Sequence, residues 1–213
     1  MSNLTTFYIV RHGQTKWNLE GLMQGHSDSP LTKEGEEQAK ILGDKLKNIK
    51  FDLVFSSDLF RAKRTAEVIA LEHMLAVKTT ELLRERNFGK YEGQPYKALH
   101  VYDELLWKLN KKERHNFSQD GVENEASFIR RIFMFLRETA ITHPGKKILV
   151  VSHGGVMRSL LTNLGAIKHS VNYSNVSIRN TAYIKLLSDG VDFYVNELEG
   201  ITITENSKVM TYG

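Results

Sequence analysis

Three short apolar runs constrain the fold of this chain more than any other feature of its sequence. The segments TFYIV, DLVFS and KILVVS are rich in β-branched and aromatic residues and have the length of single strands. They are apolar almost throughout rather than alternating with polar residues, which is typical of strands that are buried on both faces. The runs therefore predict a sheet that is covered by helices on both sides.

Helical patterns separate these runs. Apolar residues recur at near-helical spacing after Thr32, a favourable N-cap residue, and again after Asp58 and Asn124. The apolar positions are Ala39, Leu42, Leu46 and Ile49; Ala62, Ala66, Ile69 and Ala70; and Phe128, Ile132, Phe135 and Leu136. Arg130 and Arg131 fall outside the apolar face of the third helix. Strands that alternate with helices indicate an α/β fold, a three-layer sandwich with a mostly parallel central sheet.

Two further β-prone segments, TAYIKLLS and DFYVNEL, flank Ser188, Asp189 and Gly190. A short turn of this kind between two strands predicts a hairpin. One antiparallel edge strand is therefore expected to close the sheet.

Composition excludes several classes of protein. The chain has 213 residues, only three prolines and no linker-like tract, so we expect a single domain over residues 1–213. It has no cysteine, which excludes disulfides, thiol nucleophiles and thiolate metal sites. The net charge of +4 is too small to indicate nucleic acid binding, but it suits an acidic small molecule. No run reaches the ~18 apolar residues of a membrane span, and no basic leader is present, so we expect a cytoplasmic protein without a membrane partner.

Basic residues follow the ends of the predicted strands. Arg11 and His12 end the first run, Arg61 lies one helical turn beyond the second, and His153 follows the third. In open α/β sheets, ligands bind at the carboxyl ends of the strands. If these strands are neighbours, two histidines and two arginines converge at that edge.

This set of side chains suits a phosphoryl group. Arginine binds phosphate oxygens bidentately and keeps its charge, and a neutral imidazole can attack phosphorus to form a phosphohistidine. Arg11, Arg61 and a protonated His153 would supply the positive charge that magnesium often supplies in phosphoryl transfer, so no metal or cofactor is expected. Gly13 and Gly154 would let the backbone approach the phosphate, and Gly154, at a helix start, would offer it a backbone N–H.

Taken singly, each of these residues also has a structural interpretation, as a buried core histidine for His153 or a surface charge for Arg61. Five motifs in order carry more weight: RHGQTKWN, MQGHSDSPLTKEGEEQA, VFSSDLFRAKRTAE, LLRERNFGKYEG and VVSHGGVMRSLL. With these motifs, the chain resembles the phosphoglycerate-mutase-like branch of the histidine phosphatase superfamily.

The resemblance implies a role for each matching residue. His12 would be the nucleophile, Arg11 and Arg61 would hold the phosphoryl group, and His153 would complete the pocket. The positions that contact phosphate or lie close to it in the family correspond to Asn18, Gln24 and Gly25.

The resemblance also singles out Glu85, at the position of the family's proton donor. A leaving alkoxide needs a proton, and the same group can then act as a base towards water. From the residues alone, a salt bridge to Arg84 or Arg86 is the alternative. Glu92 is the competing donor and is interpreted as a structural partner in the loop.

The segment between Gly93 and Glu123 distinguishes two activities in this family. The mutases carry a longer insertion with a lysine and paired arginines that grip the substrate carboxylate, whereas this segment is short and has no Arg-Arg pair. The mutases also tend to have His-Gly-Asn where this chain has His153-Gly154-Gly155. Both differences favour a phosphatase.

We expect residues 94–122 to form a small helical cap over the C-terminal ends of the strands. The run WKLNKKER is interpreted as the solvated face of a helix in this cap, with Leu105, Leu106 and Leu109 packed inward. Four aromatic residues form either a lid over the site or the packing of the cap: Tyr91, Tyr96, Tyr102 and Trp107.

The sequence therefore predicts a metal-independent phosphatase that acts on small phosphate monoesters through a phosphohistidine at His12. A 2,3-bisphosphoglycerate-dependent phosphoglycerate mutase, with the same intermediate, is the first alternative. A non-catalytic module that binds phosphorylated ligands is the second, which the presence of both His12 and Glu85 disfavours. A serine hydrolase at Ser152 is disfavoured because VVSHGG lacks the glycine two residues before the serine.

Overall fold

A mixed sheet forms the centre of the molecule. The computed structural model describes residues 4–167 and 176–203, and within them a six-stranded sheet has the order β3-β2-β4-β1-β5-β6. The strands are β1 (Thr5–Arg11), β2 (Leu53–Ser57), β3 (Val77–Thr80), β4 (Lys147–Ser152), β5 (Val176–Ser188) and β6 (Phe193–Ile203). The helices are α1 (Lys16–Glu20), α2 (Lys33–Leu46), α3 (Phe60–Leu71), α4 (His100–Trp107), α5 (Lys111–Asn116), α6 (Glu125–Thr142) and α7 (Gly154–Asn163).

The central strands are buried on both faces. In β1, Phe7 and Ile9 pack with α6 and α7, whereas Tyr8 and Val10 pack with α2 and α3 on the other side. Successive side chains of a strand point to opposite faces, so a strand between two helical layers must be apolar at every position. This explains the uninterrupted apolar runs and confirms the predicted three-layer α/β sandwich.

The strand directions agree with the predicted sheet. β1, β2, β3 and β4 pair in parallel, and β5 pairs antiparallel with both β1 and β6. The predicted turn at residues 188–190 joins β5 to β6, so the antiparallel part of the sheet is a hairpin with β6 at the edge. Two elements, β3 and α1, were not predicted, because a four-residue edge strand and a five-residue helix have too few apolar positions to show a period.

Thr32, the predicted N-cap, begins α2, and Asn124, where the third helical pattern starts, caps α6. The side chain of Thr32 accepts a hydrogen bond from the N–H of Gly35 at the start of α2, and that of Asn124 accepts one from Ser127 at the start of α6. The apolar faces predicted for α3 and α6 are buried. None of the helices in the described part of the chain combines the length and the hydropathy that a transmembrane segment needs.

The cap differs from the single helix interpreted from WKLNKKER. Helix α4 ends at Trp107 and α5 begins at Lys111, because Asn110 and Glu113 form a capping box that starts a new helix. The three leucines expected to pack inward are only partly buried: Leu105, Leu106 and Leu109.

Two of the four cap aromatics serve the packing of the cap. Tyr91 and Tyr102 are buried in a small apolar cluster with Met23, Leu99 and Val122. Tyr96 and Trp107 are about half exposed, at 52% and 51%, so only these two remain available to a ligand.

A close approach of two backbones fixes the loop that follows β1. A Cβ atom on Gly13 would lie 2.4 Å from the carbonyl oxygen of Gly35, and one on Gly35 would lie 2.1 Å from that of Gln14. Both glycines are therefore required for the loop to pack on the start of α2. Gly13, expected to admit a phosphate, serves this packing.

Gly35→Ala is expected to lower the free energy of unfolding by about 1–3 kcal/mol, because the added methyl group must displace backbone atoms. Gly43→Ala, in the same helix, is the control. There the nearest atom to a new Cβ is the Glu72 side chain at 3.4 Å. Alanine should leave stability unchanged or raise it by up to about 1 kcal/mol. Urea unfolding followed by circular dichroism measures both, and equal stabilities would contradict this account of the loop.

Candidate active site

The register of two parallel strands brings His12 and His153 together. Arg11 of β1 lies opposite Ser152 of β4, and the N–H of His12 donates to the carbonyl of Ser152 at 3.0 Å. A histidine follows each strand directly, and the two ring centroids are 5.3 Å apart with the ring planes at 61° to each other. Both side chains are buried. The convergence expected from the sequence is therefore present.

His12 has a defined tautomer. Its Nδ1 lies 2.7 Å from the carbonyl oxygen of Gly13, and a carbonyl can only accept, so Nδ1 carries the proton. The lone pair is then on Nε2, as a nucleophile requires. Burial, followed by the charges of Arg61 and Arg11, holds the pKa of His12 well below its usual value of 6.5, so the ring is neutral near pH 7.

Arg61 is a buried residue of the site rather than a surface charge. Its guanidinium donates to the carbonyl of Ser27 at 2.8 Å, to the carboxylate of Asp28 at 2.9 Å and to the carbonyl of Gly25 at 2.7 Å. Asp28 also accepts hydrogen bonds from the backbone N–H groups of Phe60 and Arg61 at the start of α3, whose N-cap residue Leu59 has no capping side chain. One carboxylate thus caps the helix and orients the arginine.

Arg11 reaches the same pocket from the end of β1. Its Nη1 donates to the carbonyl of Ile178 at 2.5 Å. A Cβ on Gly154 would lie 3.3 Å from the Nε of Arg11, so the glycine at the start of α7 allows the guanidinium to approach the backbone. Gly154 is therefore a close neighbour of Arg11, and its expected contact with a phosphate stays a prediction.

Unpaired polar atoms mark the pocket. Among the described residues, the buried side-chain atoms without a hydrogen-bond partner are Arg11 Nε, Arg61 Nε, both ring nitrogens of His153, and His73 Nε2. Buried donors are normally satisfied, and most of these atoms belong to one cluster. They are the contacts that an anion with several acceptor oxygens would complete.

The protein alone keeps His153 neutral. Burial, followed by the positive charge of Arg61, lowers its pKa well below 6.5. The protonated form invoked from the sequence is therefore not the resting state. A phosphate dianion between the two rings would favour protonation, so the proton would accompany the ligand.

The loop residues implied by the resemblance frame the pocket. Asn18 accepts a hydrogen bond from the backbone N–H of Thr15, and the hydroxyl of Thr15 donates to the buried side chain of Gln24 at 3.0 Å. Gly25 has a φ of 54°, and a Cβ there would lie 2.1 Å from a carboxylate oxygen of Glu92, so no other residue fits.

Asn180 is a site residue that the sequence analysis missed. Its amide donates to the carbonyl of His12 at 3.0 Å and to the side-chain oxygen of Asn18 at 3.3 Å. The residue lies where the β5–β6 register shifts, next to Thr181 with a φ of 57°. Such irregularities re-aim side chains, and no sequence pattern signals this one.

The two candidate proton donors have different environments. Glu85 accepts from the backbone N–H of Gly155 at 2.8 Å, which places its carboxylate at the start of α7, the helix that follows His153. Neither guanidinium expected as an alternative partner binds this carboxylate: that of Arg84 pairs with Asp58, and that of Arg86 donates to the carbonyl of Glu123.

Glu92 instead braces the loop, as interpreted from the sequence. Its carboxylate accepts from the N–H groups of His26, Ser27 and Phe88 and from the Ser27 hydroxyl. Burial acts to raise its pKa, but these hydrogen bonds outweigh burial and the pKa is lowered. Ser152 is also structural: its hydroxyl is buried and donates to the carbonyl of Leu83.

Acidification is expected to destabilise the fold through the two buried histidines. Their folded-state pKa values lie well below 6.5, so below that pH the unfolded chain binds protons that the folded chain does not. Stability is therefore lost as pH falls, with a limiting slope of about 1.4 kcal/mol per pH unit for each histidine.

Urea unfolding at about pH 7.5 and about pH 5.5 tests this linkage. His153→Gln should lose less stability between the two pH values than the wild-type protein does. The control is His100→Gln, an exposed position, which should behave like wild type. An unchanged pH dependence in His153→Gln would contradict the assignment.

Comparisons with known proteins agree with this geometry. A sequence model described as the histidine phosphatase superfamily (branch 1) matches residues 7–199. A Bacillus subtilis (strain 168) protein named uncharacterized phosphatase PhoE is 34% identical over 161 residues, which are 76% of this chain and 78% of that protein. A Salmonella arizonae protein named probable phosphoglycerate mutase GpmB is 35% identical over 161 residues, covering 74% of this chain and 73% of that one.

A solved structure shows the same fold. The crystal structure of a phosphoglycerate mutase from Bacillus anthracis matches with a TM-score of 0.77 and 28% identity, over 93% of this chain and 94% of that one. The relatives carry two kinds of name, phosphatase and mutase, within one family. The chain belongs to the histidine phosphatase superfamily, branch 1, as its motifs indicated.

Proposed function

We propose that this protein is a phosphatase that hydrolyses small phosphate monoesters through a phosphohistidine at His12, without a metal ion. One observation carries the proposal: a neutral imidazole with its lone pair on Nε2 lies beside His153, within reach of the charges of Arg11 and Arg61, whose Nε atoms are unpaired. This arrangement combines a nucleophile with the fixed positive charge that phosphoryl transfer needs. The names of the relatives, phosphatases and mutases, support phosphoryl transfer.

The first half of the reaction transfers the phosphoryl group to the enzyme. The Nε groups of Arg11 and Arg61 and the backbone N–H of Gly154 bind phosphate oxygens. Nε2 of His12 attacks phosphorus, and a P–N bond forms as the P–O bond to the leaving group breaks. Glu85 donates a proton to the departing alkoxide, and His153 hydrogen-bonds a phosphoryl oxygen.

The second half returns the enzyme to its starting state. Water attacks phosphorus, the P–N bond breaks, and the Glu85 carboxylate takes a proton from the water. Inorganic phosphate leaves, His12 regains its lone pair, and Glu85 is protonated again. The same carboxyl group thus serves as acid and then as base.

One observation favours hydrolysis over a mutase reaction. The paired Arg130 and Arg131 are the only adjacent arginines in the chain. Arg130 is exposed on α6, and Arg131 is engaged with Glu123 and with backbone carbonyls. Arg131 is therefore not free to hold a substrate carboxylate, and Arg130 does not form an adjacent pair with a second free arginine. A mutase must retain its phosphorylated product against water, which needs such contacts.

Free phosphate release is expected to exceed mutase activity. With several monoesters, phosphate should be released, and interconversion of 3-phosphoglycerate and 2-phosphoglycerate should be negligible beside it, even with added 2,3-bisphosphoglycerate. Activity should survive EDTA, because the arginines carry the positive charge. Following both products from one substrate pool measures the ratio. Faster interconversion than release would establish the mutase alternative, and loss with EDTA that magnesium restores would reject the metal-independent mechanism.

Glu85→Gln is expected to slow the hydrolysis of alkyl phosphates by on the order of 100-fold or more, because the alkoxide that leaves needs a proton. The hydrolysis of aryl phosphates, whose leaving groups are stable as anions, should be slowed much less. Glu81→Gln, at a mostly exposed position in the same segment, is the matched control and should leave both rates near wild type. An equal loss on both substrates would move the donor role to another residue, Glu92 first.

A further inference from the structure

A half-buried ion pair lies behind the segment that carries Glu85. Arg131 of α6 binds Glu123 through two parallel hydrogen bonds, Nε to Oε1 at 2.8 Å and Nη2 to Oε2 at 2.9 Å. The two side chains are 15% and 16% exposed. We propose that Arg131 is a positioning residue that holds the Glu85 carboxyl group in line for proton transfer. This inference rests on the proposed function.

The remaining donors of Arg131 bind backbone carbonyls of the segment that carries Glu85, residues 82–85. Nη1 donates to the carbonyls of Leu82 at 2.9 Å and Arg84 at 2.6 Å, and Nη2 donates to the carbonyl of Glu85 at 2.8 Å. A single planar guanidinium therefore bridges three carbonyls and one carboxylate. Lysine, with a compact ammonium, cannot reproduce this fork.

The segment needs such a brace because it has little regular structure of its own. The segment begins inside a three-residue 3₁₀ helix, Glu81–Leu83. The carbonyls at the end of a helix lack intrahelical partners. Two further side-chain hydrogen bonds to carbonyls of the segment come from the Ser152 hydroxyl at Leu83 and the His26 ring at Glu85. Arg131 contributes more of these bonds than either.

Glu85 is consequently fixed at both ends. Its backbone carbonyl is held by Arg131, and its carboxylate accepts from the N–H groups of Gly155 and Arg86 at 2.8 and 2.9 Å. A catalytic acid must be placed to within a fraction of an ångström, so loosening the backbone end moves the carboxylate away from the leaving oxygen. The pocket of His12, Arg11 and Arg61 is built from other elements and should be unaffected.

The test compares Arg131→Lys with Arg130→Lys, its exposed neighbour on the same helix. The two substrates are 4-nitrophenyl phosphate and the phosphate ester of a primary alcohol. Arg131→Lys should lower kcat for the alkyl ester by on the order of tenfold or more. It should change kcat for the aryl ester by less than about threefold, and KM should be little altered for either substrate. Arg130→Lys should match wild type on both.

Combining variants separates positioning from general support. In the Glu85→Gln background, Arg131→Lys should add no further loss on the alkyl ester, because the group that it positions is absent. Equal losses on both substrates, or losses that add to those of Glu85→Gln, would overturn the proposal. If Glu85→Gln itself shows no leaving-group dependence, it is the proton-donor role in the proposed function that fails.

A second variant covers the case in which Arg131→Lys does not fold. Glu123→Gln leaves Arg131 in place and weakens one side of its fork. It should give the same leaving-group selectivity at smaller amplitude, measured on protein whose urea unfolding remains cooperative. Equal effects on the two substrates in this variant would also overturn the proposal.

Discussion

The parallel pairing of β1 with β4 is the interaction on which the site depends. Because Arg11 lies opposite Ser152, the two strands end at the same level, and His12 and His153, the residues that follow them, lie side by side. A shift of one residue in this register would separate the histidines. It would also send the side chains of β4 to the wrong faces of a sheet that is packed on both sides. Core packing therefore fixes the positions of the two histidines relative to each other.

The electrostatics of the pocket follow from burying positive charge with few compensating groups. Asp28 pairs with Arg61 and Glu123 pairs with Arg131. The Nε atoms of Arg11 and Arg61 and both ring nitrogens of His153 are left unpaired, which costs stability in the protein alone. Burial, followed by the charges of Arg61 and Arg11, lowers the pKa of His12 and keeps it neutral. A phosphoryl group would satisfy these donors and, in the proposed function, meet His12 in its neutral form.

The elements that sequence could predict are those whose signal is local. Runs such as KILVVS identify β4, and the period of Phe128 and Ile132 identifies the buried face of α6. Arg61 lies among other basic residues, so its burial is visible only once Asp28 is seen to meet it from a distant loop. Asn180 depends on an irregularity in β5, and Arg131, which the helical period placed on a polar face, binds carbonyls more than 40 residues away. Glu85 was identified by resemblance alone, because its partner Gly155 is 70 residues along the chain.

The central claim is that His12 carries the phosphoryl group, and mapping the trapped intermediate tests it most directly. The enzyme would be mixed rapidly with a phosphate-labelled aryl ester, quenched in base, digested and examined by mass spectrometry, with His12→Gln treated in parallel. The account predicts one acid-labile, base-stable phosphoryl group on the peptide that contains His12, and none on the variant. A phosphoryl group on another side chain, or normal turnover by His12→Gln, would contradict it.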